Sequence, residues 1–202
     1  WIKKGERKMK KMQKKRKMNV RAYVSIGMLS SIAFLLMLIQ FPLPLFPNFL
    51  FVDFSDIPAL IATLIFGPIA GILVEFFKNV LNYIQTGSQT GIPVGHIANF
   101  VAGIVFILPT YFVYNRLKTR KGMTLALIIG TAIMAVMMSI LNYLVILPAY
   151  TVLMGFPDMR NLVLPAILPF NLLKGVMMSG IFMLLFIRMQ AWINKYTTIK
   201  SA

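Results

Sequence analysis

Residues 51–84 read FVDFSDIPALIATLIFGPIAGILVEFFKNVLNYI, and the number of times this stretch crosses a membrane decides the fold. Its charges are Asp53, Asp56, Glu75 and Lys78, and Gly67-Pro68 divides it. Gly-Pro is a turn signal, so the stretch contains two helices, 56–66 and 68–86. A spanning helix needs about 20 mostly apolar residues. The second helix meets that length and the first does not, so hydropathy alone leaves 56–66 undecided.

Upstream, residues 22–52 carry no charge, and Pro42, Pro44 and Pro47 break their second half. A first span over 20–40 and an apolar loop over 41–54 follow. Downstream, TGSQTG (86–91) is a polar loop, and a span covers 93–115. RLKTRK (116–121) is a basic loop, and the next span covers 122–146. Residues 147–165 hold Pro148, Pro157, Asp158, Arg160 and Pro165 and read as a long loop before a last span over 166–187.

Lys and Arg settle the count. They cluster in the first 21 residues, which hold 11 of the 21, in the 116–121 loop, and at Arg188, Lys195 and Lys200. Cytoplasmic loops carry the excess of Lys and Arg, and six spans put all three clusters on one side. Five or seven would separate the termini. The expected fold is therefore an all-α integral membrane protein with six transmembrane helices and both termini cytoplasmic. It divides into a basic tail over 1–19 and a membrane domain over 20–194. Asp53, Asp56 and Asp158 then fall outside. Met9, Met12 and Met18 are alternative starts, so part of the tail is read as an artefact. Its Lys and Arg suit an anionic lipid surface better than nucleic acid, because no aromatic residue interleaves them after Trp1.

Composition agrees. The chain is 58% hydrophobic and 13% charged, against about 45–50% and ~25% in typical globular domains. A soluble fold of 202 residues could not hide so much apolar surface. Cysteine is absent, which excludes disulfides and thiolate sites. There is no phosphate-binding G-x-x-x-x-G-K-[ST], no G-x-S-x-G and no H-E-x-x-H, and there is one His. Neither a catalytic group nor a metal site is expected.

Polar groups inside a membrane are costly and mark function by default. Glu75, Lys78, Asn79 and Asn82 follow one another on the third span at i, i+3, i+4 and i+7. His96 and Asn99 begin the fourth span, Asn142 ends the fifth, and Asn171 and Lys174 begin the sixth. Four helices thus place amide or charged groups in the outer half, Asn82 on the third span among them, and together they predict a polar pocket that opens outward above an apolar floor. A through-pore would need polar groups at every depth. Glu75 and Lys78 either neutralise each other or meet the ligand. Lys174 has no acid within a turn, and its nearest charges are Arg160 and Arg188, 14 residues away on each side, so it reads as a ligand contact. The Phe residues of 41–54, Phe46 and Phe49 among them, form either an interfacial belt or a lid. Gly27-x-x-x-Ser31 on the first span permits close helix approach, either within the bundle or to a partner.

The segments FSDIPA (54–59) and VExxKN (74–79), with GIPVGHIANFVAG (91–103) and PFNLLKG (169–175), resemble the riboflavin-specific substrate-binding S components of energy-coupling factor (ECF) vitamin transporters. The likeness covers roughly residues 20–190. It implies a bacterial plasma-membrane protein that binds riboflavin as transported substrate, with no cofactor. Asn142, Asn171 and Lys174 match the family's polar contacts to the flavin. Glu75, Asn79, Asn82, Phe46 and Phe49 complete the expected substrate site, and 41–54 would gate it. The implied partners are a transmembrane coupling protein and two ATPases. The family's A-x-x-x-A docking motif is represented here by Gly27 and Ser31. An S component for another vitamin is the alternative within the family. A membrane enzyme using Asp53, Asp56 and Glu75 is the alternative of another class.

Overall fold

The structure is a computed structural model that describes residues 20–88 and 91–199, the last nine as backbone only. The basic tail over 1–19 lies outside the described residues. The first helix, α1, spans Val20–Leu38. A short antiparallel ladder follows, β1 (Phe41–Pro42) with β2 (Phe51–Val52), in which Phe41 pairs with Val52 and Pro42 with Phe51. Then come α2 (Asp56–Phe66), α3 (Pro68–Thr86), α4 (Val94–Leu117) and α5 (Arg120–Leu141). A π-turn over Asn142–Ile146 joins α5 to α6 (Leu147–Met154). A 3₁₀ turn (Arg160–Leu162) and a second π-turn (Val163–Ile167) lead into α7 (Leu168–Ile199).

The Gly67-Pro68 division is as the residues dictate. Gly67 sits at φ +102°, a conformation that L side chains rarely adopt, and its N–H reaches Thr63 O at 3.0 Å. Pro68 then opens α3, where its missing N–H costs nothing. Helix α2 has 11 residues, about 16 Å at 1.5 Å per residue, roughly half the hydrocarbon thickness. It need not meet lipid on its own, because nine of its residues are buried and α1, α3, α4 and α7 surround it.

Four stretches are long and apolar enough to cross a membrane, namely Val20–Leu38, Val94–Leu117, Arg120–Met154 and Arg160–Gln190. The last two are longer than expected from the prolines. In the fifth, Leu147 N–H bonds to Asn142 O, so the ladder has already stepped out by one residue when Pro148 arrives. The helix therefore passes Pro148 and ends at Gly155, where the sequence suggested a loop over 147–165. In the sixth, Leu168 N–H bonds to Val163 O, and Pro165 is carried inside the turn.

Between the basic turn and the outer connections the helix surfaces are apolar, and five of the described charged residues are buried inside. Met28, Ile128 and Leu184 are 63%, 61% and 70% exposed, whereas Asp56, Glu75 and Lys78 are each 0% exposed. That inversion suits hydrocarbon as the surrounding medium. Asp53 and Asp56, assigned to the outer side by the sequence, are both buried within the bundle. The core is built of small residues and flexible Met and Phe, including Ala33, Ala59, Met134, Met178 and Phe182. Helix α5 approaches α4 closely at Gly130, where an added Cβ would lie 2.9 Å from the Phe106 carbonyl oxygen.

Backbone cannot rotate away as a side chain can, and overpacking typically costs about 1–3 kcal/mol. Gly130→Val should therefore lower the thermal unfolding midpoint of the detergent-solubilised protein by several degrees. Gly180→Val, at a position with open space around it, should change it little.

Candidate functional site

A cavity of about 570 Å³ lies at one end of the bundle. The chain delivers its walls from helix ends. Met37 and Gln40 come from the end of α1, Asn82 and Thr86 from the end of α3, and His96, Asn99 and Ala102 from the start of α4. Met138, Asn142, Ile146 and Tyr150 descend one face of the α5–α6 rod, and Phe170, Asn171 and Lys174 start α7. Asn48, Phe49, Leu50 and Phe51 of the loop close one side, and Phe156 lies on the connection after α6.

The amides on the wall are held in fixed orientations. Asn142 Nδ2 donates to Met138 O and Asn171 Nδ2 to Ile167 O, both at 2.8 Å. A carbonyl can be bonded only through the amide nitrogen, so in each the oxygen remains as an acceptor. Asn82 is set the other way. Its Oδ1 accepts from His96 Nε2 at 3.0 Å, while its buried Nδ2 has no partner among the described residues. Aromatic rings line the remaining wall. Tyr150 stacks on Phe156 at 6.5 Å and tilts against Phe49 at 6.2 Å. The wall thus offers acceptors, a donor, an ammonium and flat apolar faces.

Beneath and beside the cavity runs a chain of ions. Lys78 Nζ on α3 meets Glu75 Oε2 at 2.8 Å, the Asp56 carboxylate, and Ser55 Oγ at 2.7 Å. The Ser55 hydroxyl and its N–H both donate to Asp53 Oδ1, the N–H at 2.9 Å. Asp53 Oδ2 accepts from Lys174 Nζ at 3.1 Å and from Asn99 Nδ2 at 3.2 Å. Burial alone would raise the Asp53 carboxyl, but Lys174, Lys78 and the two Ser55 hydrogen bonds together hold it below the usual carboxylate range. Gly103 leaves room for Glu75, since a Cβ there would run into its carboxylate.

Of the residues expected at a substrate site, Asn142, Asn171, Lys174, Asn82 and Phe49 lie on the wall. Glu75 and Asn79 do not. Glu75 is taken by Lys78, and Asn79 Nδ2 donates to Glu75 O at 2.9 Å. Phe46 stands behind the wall, edge-on to Phe170 at 5.5 Å. Lys174, read as a lone charge, has a partner in Asp53, 121 residues away. Tyr150 escaped the sequence reading because Pro148 seemed to end the helix. The spacing Asn142, Ile146, Tyr150 is nevertheless a continuous i, i+4, i+8 face. The three carboxylates of the enzyme alternative are all bound to lysines. Gly27 and Ser31 lie on the exposed face of α1, whereas Ala22, Ile26, Ser30, Ala33 and Met37 face the bundle.

Breaking a buried ion pair by removing one partner typically costs about 3–5 kcal/mol. Lys78→Met should therefore cause a large loss of thermal stability. Adding Asp56→Asn and Glu75→Gln should recover most of it, because no uncompensated charge is then left buried at that point.

A family model described as "ECF transporter, substrate-specific component" matches residues 16–186. The chain is 51% identical over 183 residues to a protein of Bacillus subtilis (strain 168) named riboflavin transporter FmnP, covering 88% of this chain and 96% of that one. It is 42% identical over 195 residues to riboflavin transporter RibU of Staphylococcus aureus (strain TCH60), covering 95% and 98%. A solved chain described under "Structure and mechanism of the S component of a bacterial ECF transporter" superposes with a TM-score of 0.75 at 43% identity, covering 86% of this chain and 97% of that one.

Proposed function

The chain belongs to the family of ECF transporter substrate-specific components, and from that we propose that it is a multi-pass cell-membrane protein that binds riboflavin for uptake in the cavity at the α3–α4–α5–α7 end. The observation that carries this reading is the chemistry of the cavity wall in a chain so similar to named riboflavin transporters. Riboflavin is an apolar tricycle with hydrogen-bonding edges and a polyol chain. Flat rings from Phe49, Tyr150 and Phe156 suit the tricycle, and the oriented amides of Asn142 and Asn171, with Lys174 and Asn82, suit its edges and hydroxyls. Glu75 and Asn79 serve the framework beside the site, and Phe46 supports Phe170. The activity is transport rather than catalysis.

Orientation follows from the charges. The cavity lies at the end of α4 and α5 opposite their basic turn at Arg116–Lys121, and at the end of α7 opposite Arg188. The basic end is cytoplasmic by the positive-inside rule, so the cavity opens outward and both termini lie inside. The 41–54 segment, which places Phe49, Leu50 and Phe51 on the wall, gates it. The exposed Gly27–Ser31 stripe of α1 docks on the transmembrane coupling protein of a module whose two ATPases supply the energy. Both residues are small, as close helix approach requires.

Asn171→Ala and Lys174→Ala should each weaken riboflavin binding at least about tenfold, or about 1.4 kcal/mol, as read from quenching of flavin fluorescence. Unchanged affinity in folded Asn171→Ala protein would remove that residue from the site. Protein purified from cells should absorb in the flavin bands.

A further inference from the structure

Asp53 is buried and absent from the cavity wall, yet one of its oxygens holds two residues that are on it. Oδ2 receives Lys174 Nζ from α7 at 3.1 Å and Asn99 Nδ2 from α4 at 3.2 Å. Its other oxygen is occupied by the N–H and hydroxyl of Ser55. Asp53 also directly follows β2, whose Phe51 lies on the wall.

A lysine stem has many rotamers, and its ammonium has three donors without an intrinsic direction. The hydrogen bond to Asp53 is the only one Lys174 makes among the described residues. The other carboxylate near it, Asp56, is bound to Lys78 and lies off the wall. One N–H directed to Asp53 therefore fixes where the other two point. The same oxygen uses the Asn99 amide nitrogen and leaves Asn99 Oδ1 as an acceptor.

We propose that Asp53 is a positioning residue for ligand binding, which aims the Lys174 ammonium and the Asn99 amide at the bound molecule and joins the covering segment 41–52 to them. The proposal rests on the riboflavin reading above.

The test is an equilibrium riboflavin titration, followed by flavin fluorescence quenching, on the full chain in detergent. Four proteins are compared: wild type, Asp53→Asn, Lys174→Ala and the double variant. Asp53→Asn keeps the shape and removes the charge, and it should bind at least fivefold more weakly. The double variant should lose clearly less than the product of the two single losses, because Asp53 acts in large part through the lysine and for the rest through Asn99. Fold-losses that multiply, as a separate structural role for Asp53 would give, overturn the proposal, and so does wild-type affinity in Asp53→Asn.

An uncompensated Lys174 could unfold the single variant, so the exchange Asp53→Lys/Lys174→Asp is a second arm. It keeps an ion pair but moves the ammonium to the loop end, and it should remain folded with affinity at least tenfold lower. Wild-type affinity in the exchanged protein overturns the proposal. A wild type that binds no flavin, or an unchanged Lys174→Ala, brings down the riboflavin reading and this one with it. That outcome is distinct from one in which only the Asp53 variants fail to respond.

Discussion

Five ionisable side chains buried in an apolar medium constrain everything else in this molecule. Asp53, Asp56, Glu75, Lys78 and Lys174 come from the loop end and from α2, α3 and α7, and each has a partner of opposite charge. In a bilayer no water is available to solvate a charge that strays, so the elements carrying them must meet. That requirement places short α2 in the centre, sets the loop end against α7, and leaves α4 to approach through Gly103 and Asn99. Ion pairs of this kind are weak evidence of net stability but strong constraints on arrangement. A helix shifted by one turn would strand a charge.

The cavity is a consequence of the same packing. The helices meet tightly below it through Ala, Gly and Met and part where their ends carry amides and rings. Two π-turns lie at this end, and both act on the wall. The first begins at Asn142, and the second precedes Asn171. Each adds a residue to a helical turn and so changes which side chains face inward beyond it. With the first, Tyr150 stays close in line with Asn142 and Ile146 across the wider turn. The wider turn that admits Pro148 precedes Tyr150, which lines the cavity.

Much of this was legible in the residues. Gly67-Pro68 divided two helices at the correct position, and the contact of Glu75 with Lys78 is one of the two readings that their i, i+3 spacing offered. The amides Asn142, Asn171 and Asn82, whose positions in the outer half suggested a pocket, do lie on the cavity wall, and so does Phe49, one of the loop rings read as either a belt or a lid. Other features were misread for definite reasons. Pro148 resembled a stop because a sequence shows a missing N–H but not a ladder that has already stepped aside. The partners of Asp53 and Asp56 went unseen because Lys174 and Lys78 lie 121 and 22 residues further along the chain.

By itself, the sequence determined the apolar character of the chain, most of its helix boundaries and where along each helix the polar groups fall. These are local quantities, set by hydropathy, charge and turn chemistry over windows of a few to twenty residues. Only the tertiary structure decided which polar groups face the cavity and which hold the framework. Glu75 and Asn82 share a helix and nearly a face, yet Glu75 is bound to Lys78 whereas Asn82 lines the site. The difference lies in what the neighbouring helices bring to each. Lys78 and the gap at Gly103 enclose the carboxylate, and the open end of α4 exposes the amide. Pairing across 121 residues, as between Asp53 and Lys174, has no trace in spacing, because it depends on how helices are arranged in space rather than on their order in the chain.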